Sequence, residues 1–129
     1  MEGSLKLKEI SYIHSEAYTA GELKHGPISL IENGTIVISV VTQSGLVEKT
    51  ISNMVEVKSR GAQVMAVTTA GNYFLEDTAE FVCYVPQIES LFAGSLSVIP
   101  LQLLSYYVSI GKGFDVDKPR NLAKSVTVE

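Results

Sequence analysis

The sequence predicts an α/β fold in which a doubly wound parallel sheet is flanked by helices. Three short stretches, residues 35–42, 63–68 and 81–85, are rich in β-branched and aromatic residues and alternate with segments of helical periodicity. Each stretch is apolar at most positions, which is typical of strands buried on both faces of a helix-covered parallel sheet. With 129 residues, the chain has the length of one domain with its own core.

The first element is predicted to be an amphipathic helix that starts near Leu5 and ends before Gly21. The residues that share its apolar arc are Leu7, Ile10, Ile13, Ala17 and Ala20. Lys6 falls within this arc and Glu9 lies at its edge, so the two are neighbours on the helix surface. An ammonium group that faces a core is costly unless it is paired, which makes Lys6 and Glu9 a candidate functional pair. The alternative is that Lys6 extends to water and Glu9 is its surface partner.

The two histidines occupy different environments. His14 falls on the flank of the apolar arc, and we expect it at the edge of the core. His25 follows a predicted turn at residues 22–25 and precedes Gly26 and Pro27, a constrained place that suits acid–base chemistry near neutral pH. Two scattered histidines and one cysteine give no metal-binding pattern, so no metal is predicted.

A second helix is predicted to follow the first strand. Ser44 is a plausible N-cap, Gly61 ends the pattern, and the residues at helical spacing are Val47, Ile51, Met54, Val55 and Lys58. The turn at residues 42–45 also lies at the carboxyl end of a strand, where doubly wound sheets bind ligands, and its hydroxyl groups could hold a phosphate. A plain helix cap explains the same residues more simply.

Residues 91–110 carry no charge and are long enough to span a bilayer as a helix. The segment also holds four serines, Gln102 and Pro100, and it lacks a basic flank. We therefore expect a long helix over residues 89–110, kinked at Pro100 and buried in the sheet or in a subunit interface rather than in a membrane.

Composition excludes several classes of protein. A formal net charge of −4 gives no basic surface for nucleic acid. The single cysteine, Cys83, lies in an apolar run and is expected to be a small buried hydrophobe in a reducing, cytoplasmic environment. No signal peptide opens the chain, and no nucleotide-binding motif predicts a cofactor.

Because three strands are few for such a sheet, we expect a further strand upstream. Without that strand the sheet has an exposed edge, and this edge together with the apolar helix predicts self-association.

Two motifs closely resemble one enzyme family. GSLKLKEISYIHSEAYTAGELKHGP, at residues 3–27, and DVDKPRNLAKSVTVE, at residues 115–129, resemble the C-terminal part of glutamine–fructose-6-phosphate aminotransferase (isomerizing), also called glucosamine-6-phosphate synthase. SVIPLQLL, at residues 97–104, is similar to the last helix of that family. The resemblance covers the whole chain. It implies that residues 1–129 are the second sugar isomerase (SIS) subdomain, flavodoxin-like and entered within its first helix, with a catalytic tail at residues 111–129.

The resemblance also implies roles for individual residues. Lys124 would form a Schiff base with the open-chain keto sugar, and Glu9 would move a proton between C1 and C2. His25 would assist ring opening, in the family within the neighbouring subunit's site. Lys6 would handle protons or hold the sugar beside Glu9, and Ala123 would contact the sugar through its backbone. Imine formation needs a neutral amine, so the pKa of Lys124 would have to fall below its usual value of about 10.4.

The function implied by the resemblance is amino-sugar synthesis from fructose 6-phosphate to glucosamine 6-phosphate in a cytoplasmic homodimer without a cofactor. The glutaminase nucleophile and the phosphate-binding loops of the first SIS subdomain are not in the sequence, so this chain alone is not expected to perform glutamine-dependent synthesis. Two alternatives stay open. One is a non-catalytic SIS module that binds a phosphosugar and regulates a partner; the other is a phosphosugar isomerase that needs no ammonia.

Overall fold

The computed structural model describes residues 1–120 and residue 122. Its helices and strands are, in chain order, α1 (Glu2–Ser11), β1 (Ile36–Val41), α2 (Val47–Ser59), β2 (Gln63–Thr69), β3 (Phe81–Val85) and α3 (Ser90–Gly111). Short 3₁₀ turns occupy Ala20–His25, Pro27–Leu30, Ser44–Leu46 and Tyr73–Asp77. The chain divides into two compact units, one of Met1–Ala17 with the described residues from Leu101 onward, and one of Tyr18–Pro100.

The sheet of the second unit has the strand order β1-β2-β3, and both pairings are parallel. In register, Val41 pairs with Thr68 and Met65 pairs with Phe81. α2 carries the crossover from β1 to β2 that a parallel pair requires. The predicted α/β class, a parallel sheet flanked by helices, is confirmed.

The core of the second unit lies between α2 and the central strand. Met54 and Val57 of α2 and Val64 of β2 are at most 1% exposed and belong to one apolar cluster. β2 is buried along most of its length because it has a neighbour on each side, whereas β1 and β3 have exposed residues such as Ile36 and Phe81. The expectation that every strand is buried on both faces therefore holds for β2 and not for β1 or β3.

Two predictions about side chains in the second unit are wrong. Ser44 does not cap α2, because a 3₁₀ turn over Ser44–Leu46 intervenes and places Leu46 at the N-cap position without a side-chain hydrogen bond. Cys83 is only partly buried, since it lies on β3, which pairs with β2 alone among the described strands.

The first helix ends much earlier than its periodicity predicts. Tyr12 adopts the left-handed conformation, with φ of 56°, and its amide donates to the Leu7 carbonyl. The chain then turns back on α1, where the Ser15 and Ser4 hydroxyls exchange hydrogen bonds with each other's carbonyl groups. Residues 12–19 are consequently outside any helix, and His14 is 85% exposed at its side chain rather than at the edge of the core.

In the first unit, α1 packs against the C-terminal half of α3. Gly3 permits the close approach, because a β-carbon at this position would lie 2.7 Å from the Leu101 Cβ. The Ser109 hydroxyl donates to the Ile10 carbonyl at 2.7 Å, so it satisfies a carbonyl near the end of α1. A residue with a side chain at position 3 would push the two helices apart.

α3 presents its polar side inward and much of its apolar side outward. Ser97, Ser105 and Ser109 are buried and hydrogen-bonded, while exposed residues include Leu91, Phe92, Ile99, Leu103, Tyr106, Tyr107 and Ile110. The helix continues through Pro100. By length and composition alone, α3 is the helix of the described chain that would suffice to cross a membrane.

Candidate functional site

Lys6 and Glu9 form the predicted pair on α1. The Lys6 Nζ lies 2.5 Å from Glu9 Oε2 and 3.8 Å from Glu2 Oε1. The Lys6 side chain is 34% exposed and that of Glu9 22% exposed, so both charges are partly withdrawn from water but still accessible. The spacing of three residues brings the two together on one helix face, as the sequence predicted.

The hydrogen bond with Glu9 raises the pKa of Lys6 above its usual value of 10.5, and the charges of Glu9 and Glu2 act in the same direction. Lys6 is therefore an ammonium ion at neutral pH. Such a group cannot accept a proton, but it orients the Glu9 carboxylate and can donate hydrogen bonds to an oxygen of a ligand.

His25 is exposed at the end of the 3₁₀ turn Ala20–His25, immediately before Gly26. Two neighbours of His25 hold this turn against the rest of the second unit. Leu23 packs against the apolar core, and the Lys24 Nζ lies 2.8 Å from the Glu56 carboxylate of α2. Gly26 has a φ of 150°, so the chain changes direction directly after the histidine. The imidazole is thus presented to solvent from an anchored turn.

The structure brings Lys6 and Glu9 together in the first unit and places His25 in the second unit. Ala123 and Lys124 lie outside the described residues, so their roles remain predictions. Within residues 1–120 and 122, no three His, Cys, Asp or Glu side chains are grouped as a metal site requires.

The carboxyl ends of β1 and β2 are joined by polar side chains. The Thr68 hydroxyl donates to the Val41 carbonyl at 2.7 Å and accepts a hydrogen bond from the Asn72 amide. The same amide also donates to the Thr69 hydroxyl. These hydrogen bonds fix the turn after β2 at the edge of the sheet where α/β proteins usually bind ligands.

Sequence reasoning missed a cluster formed by Tyr12, Phe114 and Arg120 in the first unit. The Arg120 guanidinium carbon lies 4.1 Å from the centroid of the Tyr12 ring, and the two aromatic rings meet edge to face at 5.0 Å. A signal was present, because Tyr12 and Arg120 each lie in one of the two motifs that carry the family resemblance. Nothing in the local pattern of either motif indicated that they touch.

A family model for the SIS domain matches residues 1–111. The chain belongs to the SIS domain family. This SIS domain is 64% identical over all 129 residues to a glutamine–fructose-6-phosphate aminotransferase (isomerizing) of Clostridium tetani and 56% identical over 128 residues to that of Thermus thermophilus. In both comparisons it covers 21% of the relative, so it spans about a fifth of the length of these proteins.

Two solved structures are similar to this chain over most of its length. The C-terminal domain of glucosamine-fructose-6-phosphate aminotransferase from Francisella tularensis superposes with a TM-score of 0.78 at 42% identity, covering 88% of this chain and 32% of that one. Glucosamine-6-phosphate deaminase from Thermotoga maritima superposes with a TM-score of 0.74 at 33% identity, covering 96% and 35%. The family resemblance read from the sequence motifs is confirmed.

Proposed function

We propose that this SIS domain is the second isomerase subdomain of a glutamine–fructose-6-phosphate aminotransferase. The observation that carries the proposal is the 64% identity over the full length of the chain to an aminotransferase of that name. The Lys6–Glu9 pair supports it, because the reaction needs a positioned carboxylate next to a fixed cation. In this role the chain acts on fructose 6-phosphate and yields glucosamine 6-phosphate.

The main steps of the reaction use Lys124 of the C-terminal tail and Glu9 of α1. The Lys124 amine adds to the C2 carbonyl of the open-chain ketose and releases water, which gives a Schiff base. Ammonia then displaces the lysine and leaves an imine at C2. Glu9 removes a proton from C1 and returns it to C2, while the proton of the C1 hydroxyl passes to the imine nitrogen, so that C1 becomes an aldehyde and C2 carries the amine. His25 assists ring opening before the first step, and the backbone of Ala123 holds the sugar.

Lys6 has two functions in this scheme. Its ammonium group holds the Glu9 carboxylate at 2.5 Å and donates to a sugar oxygen as negative charge develops during enolisation. A permanent cation close to Lys124 would also disfavour the charged form of that amine and lower its pKa, which imine formation requires. Both functions need Lys6 to stay protonated, in agreement with the raised pKa.

Borohydride trapping tests the proposal. The enzyme that contains this chain is incubated with fructose 6-phosphate, reduced, and mapped by mass spectrometry. We expect a sugar adduct on Lys124 that is absent from Lys124→Ala protein. The chain of 129 residues by itself is expected to convert no fructose 6-phosphate and glutamine, since ammonia supply and phosphate binding are assigned to other parts of the enzyme. An active Lys124→Ala enzyme, or synthesis by the isolated chain, would contradict the proposal.

A deaminase is the second candidate, since the glucosamine-6-phosphate deaminase likeness extends over 96% of this chain. A deaminase would release ammonia from glucosamine 6-phosphate without glutamine, whereas the proposed aminotransferase consumes glutamine-derived ammonia. Measuring ammonia release and glutamine-dependent synthesis with the same preparation separates the two. The higher identity to the aminotransferases favours the synthetic direction.

We further propose that the protein is a cytoplasmic homodimer. The exposed apolar side of α3 supports an interface, and the buried serines on its other side favour packing within protein over insertion in lipid.

A further inference from the structure

Three side chains fasten the chain that leads to Lys124 onto the end of α1. We call Tyr12, Phe114 and Arg120 the tail clamp. The Arg120 guanidinium lies over the Tyr12 ring at 4.1 Å and over the Phe114 ring at 5.6 Å, while its backbone amide donates to the Tyr12 hydroxyl at 2.9 Å. Cation–π stacking and the hydrogen bond act on the same residue, so Arg120 is held by both its side chain and its backbone.

Lys112 forms a second attachment between the same two segments. Its Nζ donates to the Ser11 carbonyl at 2.8 Å, at the end of α1 where the helix dipole favours a cation. The same ammonium group lies 5.2 Å from the centroid of the Phe114 ring. The segment between Lys112 and Arg120 is therefore attached to the last turn of α1 at both of its ends.

The backbone of Tyr12 indicates that its side chain has a specific use. Among residues 1–120 and 122, Tyr12 is the one non-glycine residue with a positive φ. Glycine or asparagine usually ends a helix in this conformation, because a β-carbon strains it. A glycine would relieve the strain but would remove both the ring and the hydroxyl that contact Arg120.

The clamp limits where Lys124 can be. Lys124 follows Arg120 by four positions, and four extended residues span at most about 14 Å. Glu9 precedes Tyr12 by three residues of helix, which corresponds to about 4.5 Å along the helix axis. With Arg120 fixed on Tyr12, the chain connection alone keeps position 124 within about 14 Å of Arg120, a reach that includes the last turn of α1, and this lowers the entropy lost when Lys124 and Glu9 act on one sugar.

We infer that Tyr12, Phe114 and Arg120 are positioning residues that bring Lys124 to the substrate held by Glu9. The inference rests on the proposed function, because it assigns the Schiff base to Lys124. It adds three residues that touch no substrate and act through the tail. It also gives a reason for a strained tyrosine at the end of the helix that carries Lys6 and Glu9.

The test measures how fast borohydride traps the sugar on Lys124 in the enzyme that contains this chain. Arg120→Ala, Tyr12→Gly and Phe114→Leu are compared with the wild type, and kcat and KM for fructose 6-phosphate are recorded. We expect trapping and kcat to fall together by about tenfold to a hundredfold, because misplacement of a reacting group by about 1 Å has an effect of that size. KM is expected to change little. Tyr12→Phe keeps the ring and should recover most of the rate.

Lys118→Ala is the matched control. Lys118 lies in the same segment of the chain, between Phe114 and Arg120, and is exposed and outside the clamp, so its replacement should leave the trapping rate unchanged. Thermal melts separate positioning from unfolding, because a loss of rate in a variant that is still folded at the assay temperature does not come from unfolding. Clamp variants that trap sugar at the wild-type rate, or a control that loses as much, would overturn the inference. A wild-type enzyme that forms no adduct on Lys124 would overturn the proposed function instead.

Discussion

The partners of Lys6 determine what this residue can do. Its ammonium group contacts one carboxylate at 2.5 Å and a second at 3.8 Å, and the hydrogen bond to Glu9 raises the pKa of the lysine. The charge is consequently retained throughout the neutral range, because the pKa is raised above its usual value of 10.5. Lys6 therefore contributes a fixed positive charge to a reaction and does not transfer protons at neutral pH. Of the two roles that the family resemblance implied for Lys6, this favours holding the sugar over handling protons.

Replacing Lys6 by methionine tests that role. Lys6→Met keeps the length of the side chain but removes the cation beside Glu9, so we expect the transfer of the proton from C1 to C2 to slow by about 10²-fold, in the range of a lost charge-stabilising donor. The measurement is the rate at which the sugar C1 hydrogen exchanges with heavy water, followed by NMR. Lys8→Met, on the same helix with Lys8 exposed, is the control. Wild-type exchange in Lys6→Met would instead support the alternative of a surface ion pair.

The lengths of the elements show which features a sequence can predict. The strand β3 was predicted with its observed bounds, and β1 and β2 within one residue at each end, because runs of β-branched residues encode local structure. The end of α1 could not be predicted, because a left-handed Tyr12 contradicts local preference and is explained by contacts with Phe114 and Arg120 far along the chain. The prediction for His14 is wrong for the same reason, because it assumed that the helix continues past Tyr12.

The candidate site also has some features that the sequence can predict and others that it cannot. The Lys6–Glu9 contact depends on a spacing of three residues within one helix and was predictable from that spacing. The tail clamp joins residues more than a hundred positions apart, for which a single sequence holds no periodic signal. The two residues assigned to the tail, Ala123 and Lys124, were identified by family resemblance and remain to be tested.

Glu80, immediately before β3, makes the stability of the sheet depend on pH. Its carboxylate accepts a hydrogen bond from the Val64 amide of β2 and lies 3.3 Å from the Lys58 Nζ of α2. The hydrogen bond from Val64, assisted by Lys58, lowers the pKa of Glu80 below its usual value of 4.5. A lowered pKa in the folded state means that the ionised carboxylate stabilises the fold above pH 4.5 and that this stabilisation is lost as the pH falls through the folded-state value.

We therefore expect Glu80→Gln to be less stable than the wild type at pH 7 and to lose less stability between pH 7 and pH 3. The amide oxygen of glutamine can still accept the hydrogen bond from Val64, but it does not titrate. The measurement is the free energy of unfolding in urea as a function of pH. Glu89→Gln removes an exposed carboxylate just before α3 and is the control. Parallel pH curves for the wild type and Glu80→Gln would refute the role of Glu80.

At the scale of the whole molecule, the exposed apolar side of α3 indicates a binding surface for a partner. Phe92, Ile99, Leu103 and Ile110 recur at helical spacing on its exposed side, and Leu103 is 49% exposed. Monomeric proteins rarely leave a continuous apolar stripe of this length in water. The serines on the opposite side have their hydrogen bonds inside the protein, so the exposed side is the one available for association.

Leu103→Glu tests association through this surface. Burying a leucine contributes about 1.5–3 kcal/mol per side chain, and a carboxylate in its place would have to be desolvated as well, so the equilibrium should shift toward monomer by at least on the order of a hundredfold. Sedimentation equilibrium gives the mass directly, with Ile88→Glu, an exposed apolar position outside α3, as the control. An unchanged mass in Leu103→Glu would exclude α3 as the interface. Flotation of the wild-type chain with lipid vesicles would show that the stripe faces a membrane, and in that case the buried serines would have to be explained by packing among helices.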